Sequence, residues 1–184
     1  MEHPLVTGAE DFGGVDPQDL RSGGAVRGWV ASAELRVTAA EYDGQPDDVL
    51  QDHIGSLPIY SARLREALDS HGISGLQYLP VQIRRFDGGV IEGFAVANIL
   101  NVVDALDLEQ SRFSRFPEDF PIEQKRGHIR EIRRPAVKAS TIEGLHVIRL
   151  QGYPLYICVS EKFKTIFETG RFTGYSFGEI DVSP

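Results

Sequence analysis

Few groupings in this chain combine the residue types and the spacing that chemistry needs. The tightest carboxylate set outside the N-terminal region is Asp104, Asp107 and Glu109. On a helical turn Asp104 and Asp107, three residues apart, share a face. Such a pair suits a hard cation, or general acid/base work with a spatially adjacent histidine. The set lacks the further oxygen ligands that calcium requires. Asp104 also directly follows the apolar pair Val102-Val103. The expected role of Asp104 is therefore to start a turn, its side chain accepting local backbone N–H groups. Gly174-Tyr175-Ser176-Phe177-Gly178 fits the G-x-S-x-G nucleophile elbow, but that elbow needs a helix behind the serine and an acid and a histidine further on. Six residues follow Gly178 and none is histidine. The match is rejected.

No P-loop, zincin histidine pair or dinucleotide fingerprint occurs. His3, His53, His71, His128 and His146 are scattered without ligand-like spacing. No metal site and no cofactor are therefore expected. His146 falls in an apolar strand and reads as a hydrogen-bonded core or face residue. Cys158, the single cysteine, excludes an internal disulfide and reads as a buried, inert thiol.

Composition narrows the class. The chain has 184 residues, 41% hydrophobic and 25% charged, which suits one folded domain with a sizeable core. No apolar run reaches the roughly 18–20 residues of a membrane span. Met1-Glu2-His3-Pro4 lacks the features of a secretory signal. A cytoplasmic protein is expected, with neither membrane nor nucleic acid as partner, since the net charge is −8. Residues 1–56 hold 11 acids and 3 bases, whereas residues 57–184 balance at 16 of each. The excess negative charge reads first as a solvated, partly irregular segment. The alternative is an acidic surface that steers a basic protein partner, with Asp43, Asp47, Asp48 and Asp52 as contact candidates. From Arg112 to Lys138 there are eight bases and four acids, which reads as a solvated loop and edge strand.

The elements that must position these residues follow from periodicity. Residues 1–24, rich in Gly, Asp and Pro, read as loop or loosely packed arm, within an acidic, loop-rich segment 1–45. Trp29 to Val37 alternates like a strand, and Asp47–His53 suits a short helical turn. A helix is expected over Ser61–His71, with Ser61 as N-cap, the stripe Leu64, Ala67, Leu68, and Gly72 behind it. Leu76–Arg84 reads as a strand that Pro80 makes an edge or bulges. The turn at Asp87-Gly88-Gly89 joins it to the apolar run Val90–Val103. Arg112–Gly127 reads as an exposed loop. Strands are expected at Ile129–Arg133, Leu145–Leu150 and Leu155–Val159, the last in a central position. Ser160 then caps a helix over Glu161–Thr169 that Gly170 closes, and Phe172–Ile180 makes a final strand. Short links between consecutive strands favour antiparallel pairing. The fold class is thus α+β, a mostly antiparallel sheet with two main helices, 61–71 and 160–169, packed on it.

Several segments resemble one bacterial family. They are Leu57-Pro58-Ile59-Tyr60-Ser61-Ala62-Arg63-Leu64, Gly75-Leu76-Gln77-Tyr78-Leu79-Pro80-Val81, and Asn98 to Asp107 with Ser111. His146–Leu150, Ile157–Lys162 and Phe172–Phe177 continue the pattern. Their order and spacing are similar to immunity protein family eleven of bacterial polymorphic toxin systems, over about residues 46–181, with 112–140 aligning poorly. The resemblance implies stoichiometric binding of a cognate toxin. It carries over no catalytic residue and does not locate the interface. The competing expectations are an enzyme built on Asp104, Asp107 and a histidine, and a ligand-sensing module.

Overall fold

Alternation along three short runs decides the architecture. Leu50, Ile59 and Val96 point one way and Val49, Tyr60 and Ala97 the other, and all six are buried. Strands buried on both faces need a core on each side. The computed structural model, which describes residues 5–8, 14–16, 19–30, 33–37, 46–52, 57–85 and 87–184, supplies both. The strands β1 (Leu5–Gly8), β2 (Glu34–Val37), β3 (Val49–Asp52), β4 (Pro58–Ser61), β5 (Leu76–Arg84) and β6 (Val90–Ile99) close into a barrel. Their order is β1-β2-β5-β6-β4-β3. Leu35, Leu50, Ile59, Leu79, Val81, Ile83 and Val96 pack together as one core.

The outer face carries the helices. Helix α1 (Ala62–Ser70) starts where Ser61 accepts the Leu64 amide on its hydroxyl, and buries Leu64 and Leu68 as the stripe predicts. Its last turn gives way to Gly72 at φ 71. With Val49, Tyr60 and Ala97 these residues form a second core, joined by Phe163, Ile166 and Phe167. The rest of the chain adds β7 (Val102–Val103), β8 (Arg112–Arg115), β9 (Ile129–Arg134), β10 (Ala136–Lys138), α2 (Ala139–Ile142), β11 (Val147–Leu150), β12 (Tyr153–Val159), α3 (Glu161–Thr169) and β13 (Asp181–Ser183). Ser160 caps α3 through the Phe163 amide. A third core gathers Ala105, Leu106, Val137, Ile148, Leu150 and Cys158.

The α+β class holds, with sheets that are mixed. The pairs β1–β3, β2–β5, β7–β11 and β10–β13 are parallel, and the hairpin pairs are antiparallel. Sequence proximity favours antiparallel neighbours, but closing a barrel joins strands distant in sequence, and nothing local sets their direction. The β5–β6 hairpin turns at Gly88 and Gly89 as expected. Pro80 lies where β2 does not pair with β5, and its carbonyl accepts the Trp29 indole N–H at 2.8 Å. The register shift falls just beyond, between Val81 and Ile83, opposite Gly93 at φ 83.

Other expectations are corrected. The leading residues are not merely loop: β1 closes the barrel, Leu20 is fully buried, and Gln77 bonds the Val26 amide and carbonyl at 2.8 Å each. Among the described residues of Trp29–Val37 the strand is Glu34–Val37, and Trp29 is engaged at Pro80 instead. The expected helical turn at Asp47–His53 is strand β3, because Val49 and Leu50 serve opposite cores, which a helical turn cannot arrange. The run to Val103 breaks after Ile99, and β7 joins a different sheet. Arg112–Arg115, expected as loop, pairs with β9. The central strand of the three-stranded sheet is β11, all four of its residues buried, with the partly exposed β12 at its edge, because an apolar run does not record how many strands flank it. Phe172–Ile180 forms no strand, since Phe172, Tyr175 and Phe177 turn their rings onto Phe167 of α3.

Candidate functional site

The acidic contact candidates do not assemble as one face. Asp43 lies outside the described residues. Asp52 ends β3 in register with Val6, and Asp47 is half-buried just before that strand. Asp48, expected at the surface, is 9% exposed and works inside the fold. Its carboxylate accepts the Ser61 hydroxyl at 2.8 Å, Arg63 Nε at 3.2 Å and Nη2 at 2.5 Å, and the Thr173 amide at 3.1 Å. Arg63 also donates to the Gly170 carbonyl at 2.9 Å and stacks 4.2 Å above the Phe172 ring. This knot fastens β3, the start of α1 and the segment behind α3. Charge-assisted bonds of this kind are roughly twice as strong as neutral ones.

The second acidic set is split by the fold. Asp107, rather than Asp104, holds the turn, accepting the Glu109 and Gln110 amides at 2.9 and 3.1 Å. The Ser183 hydroxyl and then the Gln110 amide hold its carboxyl below the usual carboxylate range. Glu109 is exposed on that turn. Asp104 lines a cleft of about 430 Å³ with Leu108, Arg115, Arg126, His128 and Gln151. An aspartate and a histidine do share one cleft, but no hydrogen bond or ion pair joins Asp104 to His128. Among the described residues, no group of three His, Cys, Asp or Glu side chains gathers to hold a metal ion.

One wall of that cleft belongs to the hairpin β8–β9, which forms a two-stranded sheet of its own. Half-buried Ile129 and Ile132 pack on the third core. The link between the strands is packed on itself. The Phe116 and Phe120 rings lie 4.6 Å apart, Arg126 Nε donates to the Phe120 carbonyl at 2.8 Å, and Arg115 Nη1 donates to the Gly127 carbonyl at 2.7 Å. Arg115 stacks over Phe113, and Lys125 and Arg130 over Phe116. Arg133 and Arg134 pair with Glu131 and Asp181. Among the described residues, no carboxylate pairs with Arg112, Arg115, Lys125, Arg126 or Arg130.

Sequence reasoning missed a polar seam between the cores. Arg149, in the apolar run of β11, is fully buried and donates to the Pro154 carbonyl at 2.6 Å. It draws down the phenols of Tyr60 and Tyr175, which bond each other at 3.1 Å. Burial dominates nonetheless. It raises Tyr60 well above the ordinary tyrosine value and pushes Tyr175 up to about 12. An arginine within Val147-Ile148-Arg149-Leu150 was the available signal. A second, largely apolar cavity of about 410 Å³ lies between β11, β12 and the C-terminal segment, and His146, Glu161 and Lys164 mark its polar end. There His146 Nδ1 and the Ser160 hydroxyl lie 3.0 Å apart. Cys158 is buried and free, and burial pushes its thiol up to about 12. Ser176 has no helix behind it, in keeping with the rejected elbow.

No helix of the described residues is long and apolar enough to cross a membrane. No curated protein is matched by the chain. The family model described as "Immunity protein family (Imm11)" matches residues 9–182, so the likeness reaches well ahead of residue 46 and runs through 112–140. That span includes barrel strand β2, the β8–β9 hairpin and both capped helices, α1 and α3. The chain belongs to the Imm11 family of immunity proteins.

Proposed function

We propose that this immunity protein neutralises its cognate toxin by stoichiometric binding alone, without catalysing a reaction. Membership of an immunity family over residues 9–182 carries the reading. The geometry supports a binding role, because several side chains that could do chemistry are already engaged in the fold. Asp107 holds a turn, Asp48 is tied by Arg63, Ser61 and Thr173, and the Cys158 thiol is driven away from its nucleophilic form. Immunity requires very tight association, as in the colicin DNase–immunity pairs. An interface on the order of 1,600 Å² with a good central anchor suffices for that.

A second reading concerns the contact and not the role. The excess negative charge of residues 1–56 favours an acidic face that steers a basic toxin. Asp43, Asp47 and Asp52 are left to supply it once Asp48 is accounted for.

The test is co-expression with the product of the gene next to this protein's own. A stable one-to-one complex and restored growth are the expected result. Growth rescue without any complex would point to chemistry on the toxin or its target, and would overturn the proposal.

A further inference from the structure

Five positive charges that pair with no carboxylate among the described residues stand on one small element of a chain whose net charge is −8. That element is already ordered by its own cross-strand bonds and by the Phe116–Phe120 contact, so it can dock without much loss of freedom. At its root, Arg115 and Arg126 face the cleft of about 430 Å³, where Leu108, 49% exposed, offers an apolar wall. Ile122, 46% exposed, presents a second apolar side chain on the link between the strands. Desolvated arginines beside apolar anchors are the usual composition of an interface centre.

We infer that the β8–β9 hairpin and the cleft at its root form the toxin-contacting surface, and that they receive an acidic segment of the toxin. The inference rests on the binding role proposed above. A carboxylate of that segment enters the cleft on the side of Arg115 and Arg126, and Asp104 on the same lining keeps it from the body side. Bidentate guanidinium–carboxylate pairing supplies the specificity. A polypeptide fits better than a nucleic acid. Glu118, Asp119 and Glu123 share the link with the bases, and the acidic chain repels a phosphate backbone.

The experiment uses the whole 184-residue chain and the toxin identified by that co-expression test, with binding followed at low and high salt. Arg115→Glu/Arg126→Glu alters the cleft. Arg112→Glu/Arg130→Glu alters the strands and the Arg130 contact with Phe116, and spares the bonds to Gly127 and Phe120. The reference, Lys162→Glu/Arg85→Glu, makes the same charge change on other elements. Both hairpin variants should weaken binding about 100-fold or more, with shallower salt dependence, while the reference stays within about threefold. Unchanged melting curves would confirm that the variants fold. Toxin binding within about threefold of wild type in both hairpin variants overturns the inference and leaves the binding role intact. Loss of the wild-type complex itself is a different result and overturns the binding role along with the inference. A twenty-nucleotide oligo(dT) serves as the second probe. If the hairpin variants lose that probe but keep the toxin, the surface reads nucleic acid and the inference is wrong.

Discussion

Replacing Asp48 by alanine tests whether that carboxylate serves the fold or the partner. The substitution removes the acceptor of four donors: the Ser61 hydroxyl, two nitrogens of Arg63 and the Thr173 amide. The Arg63 side chain is 56% exposed and can turn to water, so its pairing counts at the lower end, about 1 kcal/mol. The Ser61 and Thr173 bonds to a nearly buried carboxylate add about 1 kcal/mol each. Asp48→Ala should therefore cost about 3 kcal/mol, and Asp48→Asn, which keeps one acceptor oxygen, about half as much. For a chain of this length, 3 kcal/mol corresponds to a fall in Tm of roughly 6–12 °C. Urea unfolding followed by circular dichroism reads the difference. A cycle with Arg63→Ala should return a coupling of about 1 kcal/mol. A loss below about 0.5 kcal/mol for Asp48→Ala, together with weakened toxin binding, would refute this and return Asp48 to the contact face.

Gly174 has φ 101, and a Cβ there would lie 2.1 Å from the Val49 carbonyl oxygen. Gly174→Ala should therefore destabilise by about 3 kcal/mol in the same urea assay, through steric conflict with backbone that cannot yield. Ser176→Ala, in the rejected elbow, should leave growth rescue unchanged. Alkaline unfolding follows from the raised groups Tyr60, Tyr78, Tyr156, Tyr175 and Cys158. Above the unfolded values, near 9 for the thiol and 10 for the phenols, the unfolded chain releases protons that the native chain keeps. Stability is therefore full below about pH 9 and falls as pH rises toward 12. Phenolate absorbance should lag in the native protein and jump on unfolding, and early titration of all six tyrosines would contradict this. Neutralising Asp43, Asp47 and Asp52 to asparagine addresses the acidic alternative. With the hairpin as contact, association with the toxin should change less than about twofold, and a marked slowing would favour the acidic face.

Local signals carried much of the helix layer. Ser61 and Ser160 are caps because each is followed at helical spacing by an apolar stripe, and the structure places both hydroxyls on the third amide beyond them. The β5–β6 hairpin was legible for a similar reason, since an Asp-Gly-Gly turn dictates its own geometry. Burial misled where it stood in for pairing. The apolar run of β12 lies at a sheet edge, with Cys158 its one buried side chain and Leu155 exposed, and the aromatics of 172–177 make a ring cluster on α3 instead of a strand. The candidate site was hardest to read. Asp48 looks like its acidic neighbours, and only tertiary contacts, to Ser61, Arg63 and, 125 residues away, Thr173, distinguish it.

The sequence by itself determined the α+β class, the two capped helices and the family pattern. Each of these depends on residues close together in the chain, where cap chemistry, periodicity and motif spacing act directly. Only the tertiary structure decided that β1 closes a barrel, that Arg149 is buried beside two phenols, and that Asp104 shares a cleft with the hairpin arginines. Those outcomes rest on which distant segments bury one another's surfaces, and neither composition nor local propensity encodes that choice.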